Sequence, residues 1–360
     1  MMATSESSDG TRRLAVIATW VHNNFLWLLV ASYLLAGVYP NLGLAIRGLS
    51  VEQPSGGEVT APMLLLALLL FCAAVVVRWS RVRDLMQRPG VLLLALVAIW
   101  LVPAGIVSLL GWVLPTILGD YVTSGMMVGL ALVAAMPVAN SSVAWCQNAR
   151  GNMALGLGLI VLTIVLSPVA TPQMLKLMGL VLSEQETEQC ERLVTQFSGM
   201  FFIVWVILPS LAGVLVNRLA GPVWIDRARG VIRLVSALAL LTLNYTNASL
   251  AMPKVFEGEG VETLLVSAGL AVLLSVLGLG SAWVLSRGLS LSRASGIAFT
   301  FGFSMKHTGL ALVLAGEVLH EEPRVILMIV MATLLQHIVA GGADWWFGRV
   351  NEEGGRGKEE

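Results

Sequence analysis

The ninth long apolar segment of this 360-residue chain reads GIAFTFGFSMKHTGLALVLA, from Gly296 to Ala315. A lysine and a histidine, Lys306 and His307, stand in its middle. If the segment crosses a lipid bilayer, the ammonium group lies near the midplane. A charge there costs several kcal/mol and persists only when it faces water or a partner. The pair is therefore a candidate functional site.

The composition of the whole chain indicates a membrane protein. Hydrophobic residues make up 57% of it and charged residues 12%, and the mean hydropathy is +0.82. Crossing the hydrocarbon core takes about 20 apolar residues in a helix. The segments of this kind are also apolar all round, unlike the amphipathic helices of a soluble core. We predict ten transmembrane helices: 15–37, 61–78, 91–114, 123–147, 153–175, 197–217, 231–252, 263–286, 294–316 and 324–347.

The placement of charge predicts the orientation of these spans. Arginines concentrate in alternate connections, and acids in the others, as the positive-inside rule requires for an even number of spans. We expect a multi-pass protein of the cell membrane with both termini in the cytoplasm. The arginines of the inner connections are Arg78, Arg81, Arg83, Arg88, Arg150, Arg218, Arg227, Arg229, Arg233, Arg287 and Arg293. The acids of the outer ones are Glu184, Glu186, Glu188, Glu191, Glu257, Glu259, Glu262, Glu321 and Glu322.

An acidic stretch, Ser183–Arg192, separates the first five spans from the last five. Because five is odd, duplicated halves would be inverted relative to each other, as in many transporters. The predicted fold is thus an all-α integral membrane fold of two inverted five-helix repeats. The expected divisions are 1–182 for the first repeat, 183–195 for an extracytoplasmic connector, 196–350 for the second repeat and 351–360 for a cytoplasmic tail.

The fourth and ninth spans carry residues that interrupt a helix. Pro137 removes a backbone donor in the fourth span, and small polar residues surround Lys306 in the ninth. Irregular backbone at membrane depth occurs where it lines a cavity, and interrupted helices at matching places in two halves indicate a binding site. A pair of ordinary kinks with a packed polar seam is the alternative. The candidate site comprises Asn140, Ser141, Ser142, Lys306, His307 and Thr308.

The asparagines of the seventh span and His307 leave two interpretations each. Asn244 and Asn247 in the seventh span either line a substrate path or join helices by hydrogen bonds. His307 either relays protons or faces a different wall from Lys306, since neighbouring helical residues point about 100° apart. His337 in the tenth span is expected to be a hydrogen-bonded core residue.

Several local motifs resemble those of the bile acid:sodium symporter family. They are Ala149–Asn152, Ser167–Pro168, Thr171–Pro172, Arg88–Pro89, Pro103, Met305 and Thr308–Leu310. The resemblance covers essentially the whole chain. It implies a core domain with two crossing broken helices, a panel domain, alternating access for an organic anion, and two sodium sites behind the crossing.

The chain departs from that family at the implied sodium ligands. Where the family has a glutamate and, four residues later, a glutamine in the ninth span, this chain has Gly302 and Lys306. The serine–asparagine pair of the fourth span is reduced to Ser142 beside Val143. Other implied ligand positions, in spans three and five, hold residues without side-chain oxygens: Ala98, Gly156 and Ile160. Sodium coupling by the family's mechanism is therefore not expected.

Lys306 offers a replacement for the lost sodium ions. Two sodium ions and one glutamate leave the family's site with a net positive charge, and a protonated Lys306 without the glutamate restores it. Lysine also exchanges protons readily when it is buried. The sequence leaves open whether Lys306 couples transport to protons, anchors the anion passively, extends its amine toward the interface, or is a static structural strut.

Two functions from different classes follow. The favoured one is a secondary transporter of a small organic anion, with protons as the candidate coupling ion and the bilayer as its surroundings. The alternative is a membrane receptor or structural subunit that kept the fold without turnover. No motif indicates an enzyme, a cofactor, a metal centre, a nucleic-acid partner or an obligate protein partner.

Overall fold

The computed structural model describes residues 16–18, 20–21, 24–52, 58–76, 89–119, 124–197, 200–254 and 260–356. Most of these residues are helical, as the apolar segments predict. Two compact units divide the chain. Unit 1 comprises Met1–Val77 and Gly199–Phe256, and unit 2 comprises Arg78–Ser198 and Glu257–Glu360. Several charges used above for orientation lie outside the described residues: Arg78, Arg81, Arg83, Arg88, Glu257 and Glu259.

Unit 1 is built around a long helical segment that is kinked in its middle. Its elements are α1 (Phe25–Val38), α2 (Pro40–Arg47), β1 (Ser50–Glu52), β2 (Glu58–Thr60), α3 (Ala61–Val75), α9 (Met200–Phe202), a π-helical turn (Ile203–Ile207) and α10 (Leu208–Lys254). The two strands form an antiparallel hairpin with Ser50 opposite Thr60. Helix α10 packs against α1, α2 and α3.

Helix α10 consists of two helical parts, and it includes the seventh predicted span and the second half of the sixth. At Gly221 the backbone leaves the helical region, with φ 75° and ψ 164°, a conformation that only glycine adopts readily. Pro222 follows directly and begins the second part. The sixth and seventh apolar segments therefore lie on either side of this kink.

Unit 2 holds the remaining helices. They are α4 (Pro89–Leu118), α5 (Ser124–Ala135), α6 (Ser142–Asn148), α7 (Met153–Gly179), α8 (Glu184–Phe197), α11 (Gly260–Gly288), α12 (Arg293–Ser304), α13 (Thr308–Val318) and α14 (Pro323–Arg356). Helix α14 packs against α5, α11 and α13, and α7 packs against α4, α8 and α12. The core of this unit contains the ends of α5 and α12, where the chain is interrupted.

The acidic connector forms a helix of its own, α8. Ser183 and Glu186 form a capping box at its start: the backbone N–H and the hydroxyl of Ser183 both donate to Glu186 Oε2 at 2.8 Å. Such a box satisfies donors that the first turn leaves free. The predicted divisions at 182, 195 and 350 remain predictions, and each compact unit draws residues from both predicted repeats.

Length and composition alone identify fewer spans than the sequence pattern does. Among the described residues, five helices are long and apolar enough to cross a membrane, or six if α1 and α2, bent by 96°, form one span. The helices on either side of an interruption are each too short to count as a membrane span. The stretch Met200–Pro253, which corresponds to two predicted spans, counts as one. An all-α membrane fold agrees with these helices, while ten spans and inverted repeats remain predictions.

Candidate functional site: the crossing of two interrupted helices

Two helices of unit 2 are interrupted where the sequence predicts it. Helix α5 ends at Ala135 and α6 begins at Ser142, while α12 ends at Ser304 and α13 begins at Thr308. The two interruptions lie against each other and pair as a short antiparallel bridge between Val138 and Lys306. Two backbone hydrogen bonds hold the bridge: Ala139 N–H donates to Met305 O at 3.0 Å, and His307 N–H donates to Pro137 O at 2.9 Å.

Polar side chains from two helices farther along the chain satisfy the backbone N–H groups of the two bridge residues. Val138 N–H donates to Thr163 Oγ1 at 3.1 Å, and Lys306 N–H donates to the side-chain oxygen of Gln336 at 3.0 Å. Thr163 lies on α7, which follows the first interruption, and Gln336 lies on α14, which follows the second. A buried backbone group without a partner would cost about 1–3 kcal/mol, so these polar side chains stabilise the open backbone.

The free carbonyl at the end of α5 is satisfied in a similar way. Ala135 O accepts from the indole N–H of Trp100 at 3.1 Å and from the hydroxyl of Thr171 at 2.8 Å. The Thr171–Pro172 motif thus contributes directly to the crossing. In the Ser167–Pro168 motif, the serine hydroxyl donates to Ile164 O at 2.7 Å, a carbonyl that loses its helical partner because proline has no N–H.

The Lys306 side chain lies inside unit 2 rather than at its surface. The residue is 3% exposed, and its amine donates to the backbone carbonyl of Ile99 at 2.7 Å. Ile99 lies on α4, and the residue four positions later is Pro103. Because proline has no N–H, the carbonyl of Ile99 lacks the donor that the residue four positions later would otherwise supply. Among the described residues, no carboxylate forms an ion pair with Lys306.

His307 and Thr308 form the start of α13. His307 is 7% exposed, and its Nδ1 accepts from Leu310 N–H at 3.1 Å, which caps the helix. Thr308 Oγ1 accepts from the amide of Gln336 at 3.3 Å. The cap is a structural task for His307, and the two interpretations of its chemistry stay open.

The other predicted site residues divide between the two units. Asn140, Ser141 and Ser142 lie in the first interruption, and Ser142 is buried while the other two are partly exposed. Asn244 and Asn247 belong to unit 1. In the fourth segment the residues that pair with Met305–His307 are Pro137–Ala139, directly before the three predicted residues, whose part in the site stays a prediction.

The two asparagines of α10 are engaged in helix-to-helix hydrogen bonds. Tyr33 Oη donates to Asn244 Oδ1 at 2.9 Å, and Arg47 donates to Asn247 Oδ1 at 2.9 Å. Both side chains are completely buried, and each amide group also donates to a carbonyl of its own helix. This geometry favours the interpretation that they join helices, and a role in a substrate path stays a prediction.

His337 is a hydrogen-bonded core residue, as expected. It is buried, and its Nδ1 accepts from the indole N–H of Trp145 at 3.3 Å. The rings of these two residues also lie 6.5 Å apart between centroids. The contact links α6, in the first interrupted segment, to α14.

Several residues at the crossing were not singled out from the sequence. Thr163 and Gln336 each carry a polar group within an apolar segment, which is a signal, although a common one. Trp100 gives none. Ile99 contributes only its backbone, and the signal for it was Pro103 four residues later.

Comparisons with known proteins agree with this architecture. A family model described as the SBF-like CPA transporter family matches residues 23–340. The chain is 24% identical to the uncharacterized protein YbaS of Bacillus subtilis (strain 168) over 302 residues, which is 82% of this chain and 91% of that protein. It is 29% identical to the uncharacterized protein PA2026 of Pseudomonas aeruginosa over 212 residues, 58% of this chain and 60% of that protein.

Proposed function

The chain belongs to the SBF-like CPA transporter family, and from that premise we propose that it is a secondary active transporter of a small organic anion. It works by alternating access around the crossing of the interrupted helices, and Lys306 supplies the positive charge that the anion needs. The apolar helices and the family make the protein a multi-pass membrane transporter. The substrate class, the coupling and the role of Lys306 are the proposal.

The observation that carries this proposal is the position of the Lys306 amine. It is buried where two helices are interrupted, and its hydrogen-bond partner is a neutral carbonyl. A buried cation without a neighbouring carboxylate attracts an anion strongly because little water screens it. A carboxylate or similar group on a substrate would therefore find its charge partner at the crossing.

The side chains around the crossing support a mechanism that does not use bound sodium. Gly302, which corresponds to a family glutamate, is buried, and the nearest side-chain atom to a Cβ built on it is a methyl group of Leu159 at 3.3 Å. A Cβ built on Gly156 would likewise have a methyl carbon, Val143 Cγ2, as its nearest neighbour, at 3.6 Å. Sodium requires oxygen ligands, and these positions supply none from side chains. We infer that the fixed ammonium takes over the electrostatic task of the ions.

Proton coupling is the form of this mechanism that makes transport concentrative. Lys306 would be protonated when the crossing faces outside and the anion is bound, and it would release its proton inside. A passive anion anchor at the same position would give exchange or facilitated movement without accumulation. The two forms predict different responses to an imposed pH gradient.

Uptake into proteoliposomes tests the proposal. A panel of radiolabelled organic acids is offered under a proton gradient, a sodium gradient, both, or neither. We expect at least one acid to accumulate under the proton gradient alone, and we expect the accumulation to vanish when an ionophore collapses that gradient. Equal uptake driven only by sodium would contradict the proposed coupling. Absence of accumulation for every acid would favour the alternative, a receptor or structural subunit with the transporter fold.

Substitution of Lys306 separates its role from that of the scaffold. Lys306→Gln keeps a hydrogen-bond donor for the Ile99 carbonyl but has no charge, so concentrative uptake should be lost while the protein remains folded. Lys176→Gln is the matched control, because Lys176 lies in the last turn of α7 and is exposed. Undiminished concentrative uptake by Lys306→Gln would rule out the proposed role.

A further inference from the structure

A small cavity that Lys306 helps to line lies inside unit 2. Its volume is about 10 Å³, which suffices for about one water molecule. Helices α4, α5, α11, α12 and α14 all contribute to its wall. Its polar lining comes from Lys306, Ser304, Ser275 and Gln336, and Phe303 and Pro103 are among its apolar neighbours.

The hydroxyl of Ser304 indicates what kind of ligand the cavity would bind. The residue is 5% exposed, and its Oγ has no hydrogen-bond partner among the described residues. A buried hydroxyl without a partner is costly, and such groups in proteins are normally satisfied by ordered water when no side chain reaches them. Ser304 is one of the residues that line the cavity, so its hydroxyl is the candidate hydrogen-bond partner of a molecule placed there.

Lys306 supplies the complementary donors. An ammonium group has three N–H bonds, and one of them is directed to the carbonyl of Ile99. The remaining donors and the hydroxyl of Ser304 provide more than one partner for a molecule in the cavity. Ordered internal waters typically make about three hydrogen bonds, and four polar side chains line this space.

We propose that this cavity is a binding site for a single water molecule that hydrogen-bonds to the amine of Lys306 and to the hydroxyl of Ser304. The site itself follows from the cavity and its lining, while its role rests on the proposed function. In that role the water is a hydrogen-bond partner of the Lys306 amine during the part of the transport cycle in which no anion is bound. Ser304 is then a positioning residue, since it holds the water rather than the substrate.

Radiolytic footprinting of the full-length protein in lipid nanodiscs tests the site without any transport assay. A short X-ray pulse converts bound water to hydroxyl radicals, which oxidise side chains next to it, and mass spectrometry measures the oxidation. Phe303 is the reporter because it lines the cavity and is 1% exposed. Phe301 is the negative reference, since it is equally buried on the same helix, and the half-exposed Trp224 calibrates the dose.

We expect oxidation of Phe303 well above that of Phe301 in the unmodified protein. Ser304→Ala removes one hydrogen bond to the water, so the affinity of the cavity for the water should fall about fivefold, as the loss of a typical hydrogen bond predicts. The oxidation of Phe303 should fall with the occupancy of the site. Ser267→Ala is the matched control. The hydroxyl of Ser267 is also buried without a partner, but it does not line the cavity, and the oxidation of Phe303 should not change.

Two results would overturn the proposal: oxidation of Phe303 no greater than that of Phe301, or equal oxidation of Phe303 in the unmodified protein and in Ser304→Ala. A separate measurement tests the role of the water in transport. Ser304→Ala should alter the pH profile of uptake by the proteoliposomes more than Ser267→Ala does. If uptake is absent for every substrate, the proposed function fails while the footprint still decides whether the water is bound.

Discussion

The backbone carbonyl of Ile99 accepts a hydrogen bond of 2.7 Å from the side-chain amine of Lys306. The two residues lie 207 positions apart in the sequence. The carbonyl is available because Pro103 provides no N–H to it within α4. A proline in one helix thus creates the acceptor that holds a lysine at the interruption of another.

This relationship predicts the effect of replacing Pro103. In Pro103→Ala the new backbone N–H competes with Lys306 for the carbonyl of Ile99, so the amine loses its fixed position. A hydrogen bond to a charged group contributes about 1.5–3 kcal/mol, and the KM for the transported anion should therefore rise about tenfold or more. Uptake kinetics in proteoliposomes measure this change, with thermal unfolding as the check on folding.

Pro115→Ala provides the control for that substitution. Pro115 lies within the same helix but near its exposed end, away from the crossing. Its replacement should leave the KM unchanged. An unchanged KM in Pro103→Ala as well would show that the Ile99 carbonyl does not position the lysine during transport.

The polar side chains that satisfy the open backbone should be important for stability. Thr163→Val leaves the backbone N–H of Val138 without an acceptor, and Gln336→Met does the same for Lys306. Each should lower the free energy of unfolding by about 1–3 kcal/mol, measured by denaturant titration in detergent.

Thr333→Val is the isosteric control for these two substitutions. The hydroxyl of Thr333 donates to a carbonyl within its own helix, so its loss leaves no backbone N–H of an interruption unpaired. A stability loss in Thr333→Val as large as in Thr163→Val would contradict the explanation, because both replacements remove the same hydroxyl from a buried site.

The sequence predicts where the two helices are interrupted, but it does not predict which groups form hydrogen bonds with the interrupted segments. Pro137 and the polar run around Lys306 disturb an apolar helix locally, so the signal lies within the segment that changes. The acceptor of the Lys306 amine is a backbone carbonyl on a distant helix, and no side-chain type indicates it. The pairing depends on how α4 and α12 pack, which a periodic pattern does not determine.

The remaining differences have similar physical causes. Helix lengths do not give the number of spans, because α10 joins parts of two apolar segments across a kink at Gly221. Amide side chains such as Asn244 were correctly identified as buried polar groups within a span. The sequence does not show that these asparagines belong to unit 1, because that depends on tertiary packing. For that reason it does not decide between their two interpretations.

The chain between α6 and α7 should tolerate no side chain at Gly151. A Cβ built there would lie 2.6 Å from Cys146 Sγ and 2.7 Å from Ile297 Cγ2, both too close for ordinary contact. Gly151→Ala should therefore lower the free energy of unfolding by about 1–3 kcal/mol, the usual cost of overpacking. Thermal unfolding of the purified protein measures the difference.

Gly156→Ala is the paired comparison on the same stretch. A Cβ at Gly156 would meet its nearest neighbour, Val143 Cγ2, at 3.6 Å, which is ordinary contact. Because alanine is favoured over glycine inside a helix by about 0.5–1 kcal/mol, this variant should be neutral or more stable. The reverse order of stability in the two alanine variants would show that the close approach at Gly151 is not formed.

The last prediction concerns the two interpretations of Asn244. If the amide joins helices, Tyr33→Phe and Asn244→Leu remove the same hydrogen bond, and their effects on the free energy of unfolding should not add. A double-mutant cycle should give a coupling of about 1 kcal/mol, within the range found for residues in contact. Tyr33→Phe combined with Asn247→Leu is the control, since the Asn247 amide accepts from Arg47 instead, and its coupling should be much smaller. If the amide instead lines a substrate path, Asn244→Leu should change which organic acids are taken up. The Tyr33–Asn244 cycle should then show no coupling, because the amide would interact with the substrate rather than with Tyr33.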